Sequence, residues 1–123
     1  MMRTVVVVDD DEDVCELLTD FLTSQAMAVT TCAHTDDAVE KIRAAMPAVV
    51  LLDLQTLQDR EAGLAVLVQL RANSETVAVP VILMTADHDA FRTHAARIKQ
   101  LGATPLPKPF ELARLLHLIE QIA

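Results

Sequence analysis

A chain of 123 residues, 52% hydrophobic and with a formal charge of −8, has enough apolar mass for one domain with a real core and too much to be disordered. No apolar run approaches the roughly 20 residues a membrane helix needs, and MMRTVVVVDDD turns acidic too early for a secretory signal, so no membrane association and a cytoplasmic address are expected. The negative balance disfavours direct nucleic-acid binding and favours cations or basic partners, while Cys15 and Cys32, the only cysteines, lack CxxC spacing and are expected to be reduced and mostly buried.

In chain order, Val5–Val8 reads as a strand that runs into five consecutive acids. Val14, Leu17, Leu18, Phe21 and Leu22 then mark the apolar face of a helix, with Asp11, Glu12 and Asp13 suited to its start. Ala28–Cys32 is a short second strand. Thr35 offers an N-cap to a helix carrying Val39, Ile42 and Met46, stopped by Pro47, and both Met46 and Met84 read as core. Val49–Leu52 is a third strand ending at Asp53. A loop to about Ala62 leads into a helix with Leu64, Leu67 and Leu70. Pro80 opens the fourth strand, VILMT, followed by a helix over Phe91–Leu101 that Gly102 closes. Thr104–Pro107 is a weak fifth strand whose two prolines predict a sheet edge. Leu112, Leu115, Leu116, Ile119 and Ile122 mark the last helix, a core stripe. The four histidines form no ligand constellation.

Five continuously apolar strands alternating with amphipathic helices predict an α/β domain, residues 1–123, with a parallel sheet covered on both faces. In such sheets the crevice lies at the carboxyl ends of the strands. Asp9 and Asp10 end the first strand, Asp53 the third, Thr85 and Ala86 the fourth, and Lys108 follows the fifth. Each alone has an ordinary reading as a helix cap, a strand end or a solvated charge. Their convergence on one rim favours a site. Three crowded carboxylates call for a hard divalent cation such as Mg²⁺, which takes oxygen ligands and leaves room for a phosphoryl oxygen. A carboxylate can then accept the phosphoryl group, with a lysine and a hydroxyl holding its oxygens.

The motifs VVVVDDDED, VVLLDLQ, VILMTAD and LPKPF, in this order, resemble the receiver domains of bacterial two-component response regulators across essentially the whole chain. The resemblance implies a flavodoxin-like (βα)5 three-layer sandwich with strand order 2-1-3-4-5. It implies Asp53 as acceptor of a phosphoryl group from a sensor histidine kinase or histidine phosphotransfer protein. Asp10, Asp53 and the backbone carbonyl of Gln55 would ligate Mg²⁺, with Mn²⁺ as a substitute, and Asp9 would act through a metal-bound water. Lys108, Thr85 and the Ala86 N–H would hold the phosphoryl group, and the Lys108–Pro109 bond would be cis. Such a domain is a switch and not an enzyme beyond its own phosphorylation and dephosphorylation. Its output, to an effector or a second copy, would use the face of the fourth helix, fifth strand and fifth helix.

Two departures stand out. Gly63 lies ten positions after Asp53, so the loop Leu54–Ala62 is about two residues longer than the family's and lacks its proline. Pro105 occupies the place of the aromatic residue three before the lysine, and the Gly102–Lys108 interval is about one residue short. An aromatic ring that turns inward cannot be the signal here. The alternative reading is a degenerate receiver that binds a partner without being phosphorylated. A haloacid-dehalogenase-like phosphatase needs a second aspartate where Gln55 stands, and an FMN binder needs a phosphate cradle where DDDED would repel one.

Overall fold

The computed structural model describes residues 2–56 and 59–123; Leu57 and Gln58, inside the lengthened loop, lie outside the described residues. The valine run forms β1 (Thr4–Val8), and all four valines are at most 2% exposed. Successive side chains on a strand point to opposite faces, so a run without polar alternation needs cover on both sides. Val5 and Val7 pack with Leu18, Leu22, Leu115 and Ile119, whereas Val6 and Val8 pack with Ile42, Leu67 and Leu70. Burial of this kind contributes about 1.5–3 kcal/mol per side chain.

The remaining strands are β2 (Ala28–Cys32), β3 (Val49–Asp53), β4 (Val81–Thr85) and β5 (Thr104–Pro107). They form one parallel sheet in the order β2-β1-β3-β4-β5, as the resemblance implied, with β2 and β5 at the edges. The helices are α1 (Glu12–Ser24), α2 (Ala38–Ala45), α3 (Ala62–Ala72), α4 (His88–Thr93), α5 (Ala95–Gln100) and α6 (Leu112–Ile122). No helix among the described residues is long and apolar enough to cross a membrane.

Asp11 caps α1 as read, accepting from the Asp13 and Val14 N–H groups at 2.9 and 3.3 Å. Several expectations are corrected. Thr35 caps nothing; it opens a 3₁₀ turn, Thr35–Asp37, and α2 starts at Ala38. Met46 is no core residue but 85% exposed. Its backbone is left-handed, φ 46, because Pro47 disfavours another helical residue before it, and the side chain swings outward as the helix ends. Leu17 is 55% exposed and so leaves the apolar stripe of α1. The single helix expected over 91–101 is two, α4 and α5, parted at His94, whose ring reaches Glu61. Met84 and Cys32 are buried, Cys15 is half-buried, and both cysteines are free.

Candidate functional site

Parallel pairing brings the carboxyl ends of β1, β3, β4 and β5 to one rim. There the carboxylate oxygens of Asp9, Asp10 and Asp53 lie within 4.8 Å of one another. Among the described residues this is the one such cluster of potential metal-binding groups. Lys108 Nζ donates to Asp9 Oδ2 at 2.9 Å and to Asp53 Oδ2 at 3.5 Å. A cleft of about 300 Å³ opens over them, bordered also by Gln55, Thr56 and Ala86.

Each acid is held differently. The Asp9 side chain is fully buried; Oδ1 accepts from the Asp11 N–H at 2.9 Å while Oδ2 takes Lys108. Asp53 accepts from the Gln55 N–H at 3.1 Å, and its side chain is 13% exposed. Burial, then the charge of Asp9, pushes the Asp53 carboxyl up to about 6, against the pull of Gln55 and Lys108. Burial works to lower the Lys108 pKa, but the Asp9 hydrogen bond and the charges of Asp53 and Asp9 outweigh it and the net shift is upward. The ammonium therefore stays charged and offsets part of the carboxylate repulsion. The Cys15 thiol donates to the Asp9 carbonyl at 3.3 Å, and burial followed by Asp9 raises its pKa, so it remains a thiol and not a soft metal ligand. The donor set in the cleft is hard oxygen, which fits a small divalent cation.

The surroundings fix this rim. Gly63, the second residue of α3, lies against the end of β3: its N–H donates to Leu54 O at 2.9 Å, and a Cβ there would sit 2.1 Å from the Asp53 carbonyl oxygen. Lys108 donates its own N–H to Thr85 O at 2.8 Å, and its carbonyl meets His88 Nε2 at 3.0 Å. The Lys108–Pro109 bond is cis.

The structure brings Asp9, Asp10, Asp53, Gln55, Ala86 and Lys108 together in the cleft. Thr85 stands apart: it is 1% exposed, does not line the cleft, and its Oγ1 accepts the Asp87 N–H at 3.0 Å. Sequence reasoning missed Asp87 altogether. Its carboxylate accepts from Arg60 Nη2 at 2.8 Å, Gln55 Nε2 at 3.2 Å and the Ala90 N–H at 3.1 Å, which caps α4. The Arg60 hydrogen bond, then those of Ala90 and Gln55, hold this carboxyl below its usual range. The three-residue spacing from Asp87 to Ala90 signals a helix cap in sequence; the contacts with Arg60 and Gln55, 27 and 32 residues away, leave no sequence signal.

Comparison with known proteins adds the family. The family model described as response regulator receiver domain matches residues 5–120. The chain is 34% identical over 118 residues to the DNA-binding transcriptional regulator NtrC of Proteus hauseri, covering 95% of this chain and 24% of that protein. It is 34% identical over 113 residues to the probable transcriptional regulatory protein TcrX of Mycobacterium tuberculosis, covering 92% and 46%. The chain thus spans a quarter to less than half of the length of these relatives. Among solved structures, the receiver domain of a sensor histidine kinase from Pseudomonas aeruginosa, with a magnesium ion coordinated in its active-site cleft, superposes with a TM-score of 0.83. It covers 99% of this chain and 98% of that one, at 23% identity, a likeness of fold.

Proposed function

Since the chain belongs to the response regulator receiver domain family of two-component systems, we propose that it is a phosphorylation switch whose acceptor is Asp53. The observation that carries the reading is the charge arrangement: three carboxylates within 4.8 Å, Asp53 at the strand end, and Lys108 Nζ between Asp9 and Asp53. The donor is the phosphohistidine of a sensor histidine kinase or histidine phosphotransfer protein. An Asp53 carboxylate oxygen forms the new bond to phosphorus as the donor's N–P bond breaks, and the imidazole leaves with that electron pair.

Asp10, Asp53 and the Gln55 carbonyl would hold Mg²⁺ or Mn²⁺, with Asp9, already occupied by Lys108 and the Asp11 N–H, acting through water. When bound, the cation neutralises charge on the carboxylates and on the transferred phosphoryl oxygens. The chain's own groups do the rest. Lys108 presents an ammonium to a phosphoryl oxygen. Ala86 carries no more than a methyl, leaves space in the cleft and offers its N–H. The Thr85 hydroxyl reaches the group by turning from Asp87. No observation favours the degenerate alternative, since every charged and hydrogen-bonding group that transfer requires is present. The output face is that of α4, α5, β5 and α6. Phe91, Ile98, Ala103 and Pro105 line an apolar cleft of about 500 Å³ there, which supports a protein effector or a second copy as the partner.

Acetyl phosphate with Mg²⁺ should add one phosphate in intact-mass spectra of the wild type and none in Asp53→Asn. A phosphate that persists in the variant would show the acceptor to be another residue.

A further inference from the structure

We infer that Asp87 is a relay that ties occupancy of Asp53 to the loop before α3 through Arg60; the inference rests on Asp53 being the phospho-acceptor. Asp87 is the point where three segments meet. Its N–H donates to Thr85 Oγ1 at 3.0 Å, and its carboxylate binds Arg60 and Gln55 of the loop after β3 and the first turn of α4. His94, between α4 and α5, meets Glu61 of the same loop at 3.2 Å, so loop and helix are joined twice. The two segments flank a separate cleft of about 400 Å³.

The chain of contacts has two arrangements. With Asp53 unmodified, the Thr85 hydroxyl accepts the Asp87 N–H, and Thr85 is not among the residues that line the cleft. To meet a phosphoryl oxygen it must turn to another staggered rotamer, since side chains occupy discrete wells. That turn leaves the partly buried Asp87 N–H without its acceptor, and such a group seeks a new partner. Residues 86–88 must then shift, and the Asp87 carboxylate moves with them, carrying Arg60. A ligand changes an equilibrium only by interacting differently with its two states, and the Thr85 hydroxyl supplies that difference.

The usual route outward is closed in this chain. Pro105 has no aromatic side chain to turn and is exposed at the edge strand. Meanwhile the loop that Arg60 anchors is the lengthened one. The relay therefore carries the signal across β3 and β4 toward α3 instead of outward to β5. The strength of the coupling is bounded by its weakest contact. Arg60 is 83% exposed, and an ion pair so exposed supports a coupling of at most about fivefold.

The test is amide NMR of the whole chain with Mg²⁺ and beryllofluoride, which stands in for the phosphoryl group. In the wild type, shifts are expected at Asp53, Thr85 and Asp87 and also at residues 59–63. In Arg60→Ala, the first three should persist while those at 59–63 fall to less than about half, and Arg60→Lys should restore part of the loss. Because coupling is reciprocal, beryllofluoride affinity should change by about two- to fivefold in Arg60→Ala. A responding Asp53 beside a 59–63 segment that is silent, or indifferent to Arg60, overturns the relay alone. No response at Asp53, with no phosphate gained in intact mass, overturns the acceptor reading and the relay with it.

Discussion

Asp53 carries a carboxylate that is 13% exposed, beside Asp9 and 3.5 Å from the Lys108 ammonium. Burial, and after it the charge of Asp9, raises its pKa from 3.8 to about 6, and one lysine shared with Asp9 does not offset them. The folded state thus binds this proton more tightly than the unfolded chain does. Below about pH 4 the group is neutral in both states. As pH rises from there to about 6, the unfolded chain releases the proton first and stability falls, with the loss complete above the folded pKa. Neutralising Asp53 should therefore stabilise the metal-free protein. In EDTA, Asp53→Asn is expected to melt higher than wild type, with a larger gain at about pH 7.5 than at about pH 5. Thermal scans showing a gain that does not depend on pH would assign it to something other than this charge.

At the scale of elements, the contact between α3 and β3 sets the geometry of the strand end that carries Asp53. A methyl at Gly63 would meet the Asp53 carbonyl at 2.1 Å and the Leu54 Cα at 2.7 Å. These are backbone atoms and cannot give way, so α3 must move off the strand end. Gly63→Ala should cost about 1–3 kcal/mol and weaken beryllofluoride binding along with stability. Gly102→Ala is the control. Gly102 has φ +69 but open space around it, so that variant should lose about 1 kcal/mol and keep the site. Urea melts with equal stabilities for Gly63→Ala and wild type would remove Gly63 from its structural role.

The strands and most helices were legible because both carry their periodicity locally: the valine run, VVLLD and VILMT are each confined to one short segment. The site was legible to the extent that strand ends define it, which covers Asp9, Asp10, Asp53 and Lys108. What escaped was set by contacts or backbone bends that composition does not encode. Met46 fits the apolar spacing of α2 yet is turned out by a left-handed residue before Pro47. The helix over 91–101 reads as continuous until the ring of His94 finds Glu61, 33 residues back in the chain. Asp87 gathers Arg60 and Gln55 only once the sheet has placed two loops side by side.

For the molecule as a whole, charge and fold pull against each other. A net charge of −8 opposes compaction, and the rim concentrates three carboxylates at one end of the sheet. A cation that binds only the folded state should repay this by mass action, by about 2.7 kcal/mol when free Mg²⁺ is about a hundredfold above its dissociation constant. Mg²⁺ should therefore raise the melting temperature of the wild type, and Asp10→Ala should remove most of that rise, with Asp10→Asn keeping more of it. Calorimetric binding unchanged in Asp10→Ala would take Asp10 out of the cation site.

The prolines of β5 have a consequence at the molecule's boundary. Backbone N–H groups alternate in direction along a strand, and Lys108 sends its N–H inward to Thr85 O. Thr104 and Leu106 share that direction, so positions 105 and 107 are the ones whose donors would face away from the sheet. Both are proline. The inner ladder loses nothing, while the open edge has no donors at these positions with which to capture a strand from another chain. A strand from another copy that meets β5 therefore finds no N–H at these two positions with which to begin edge-to-edge pairing.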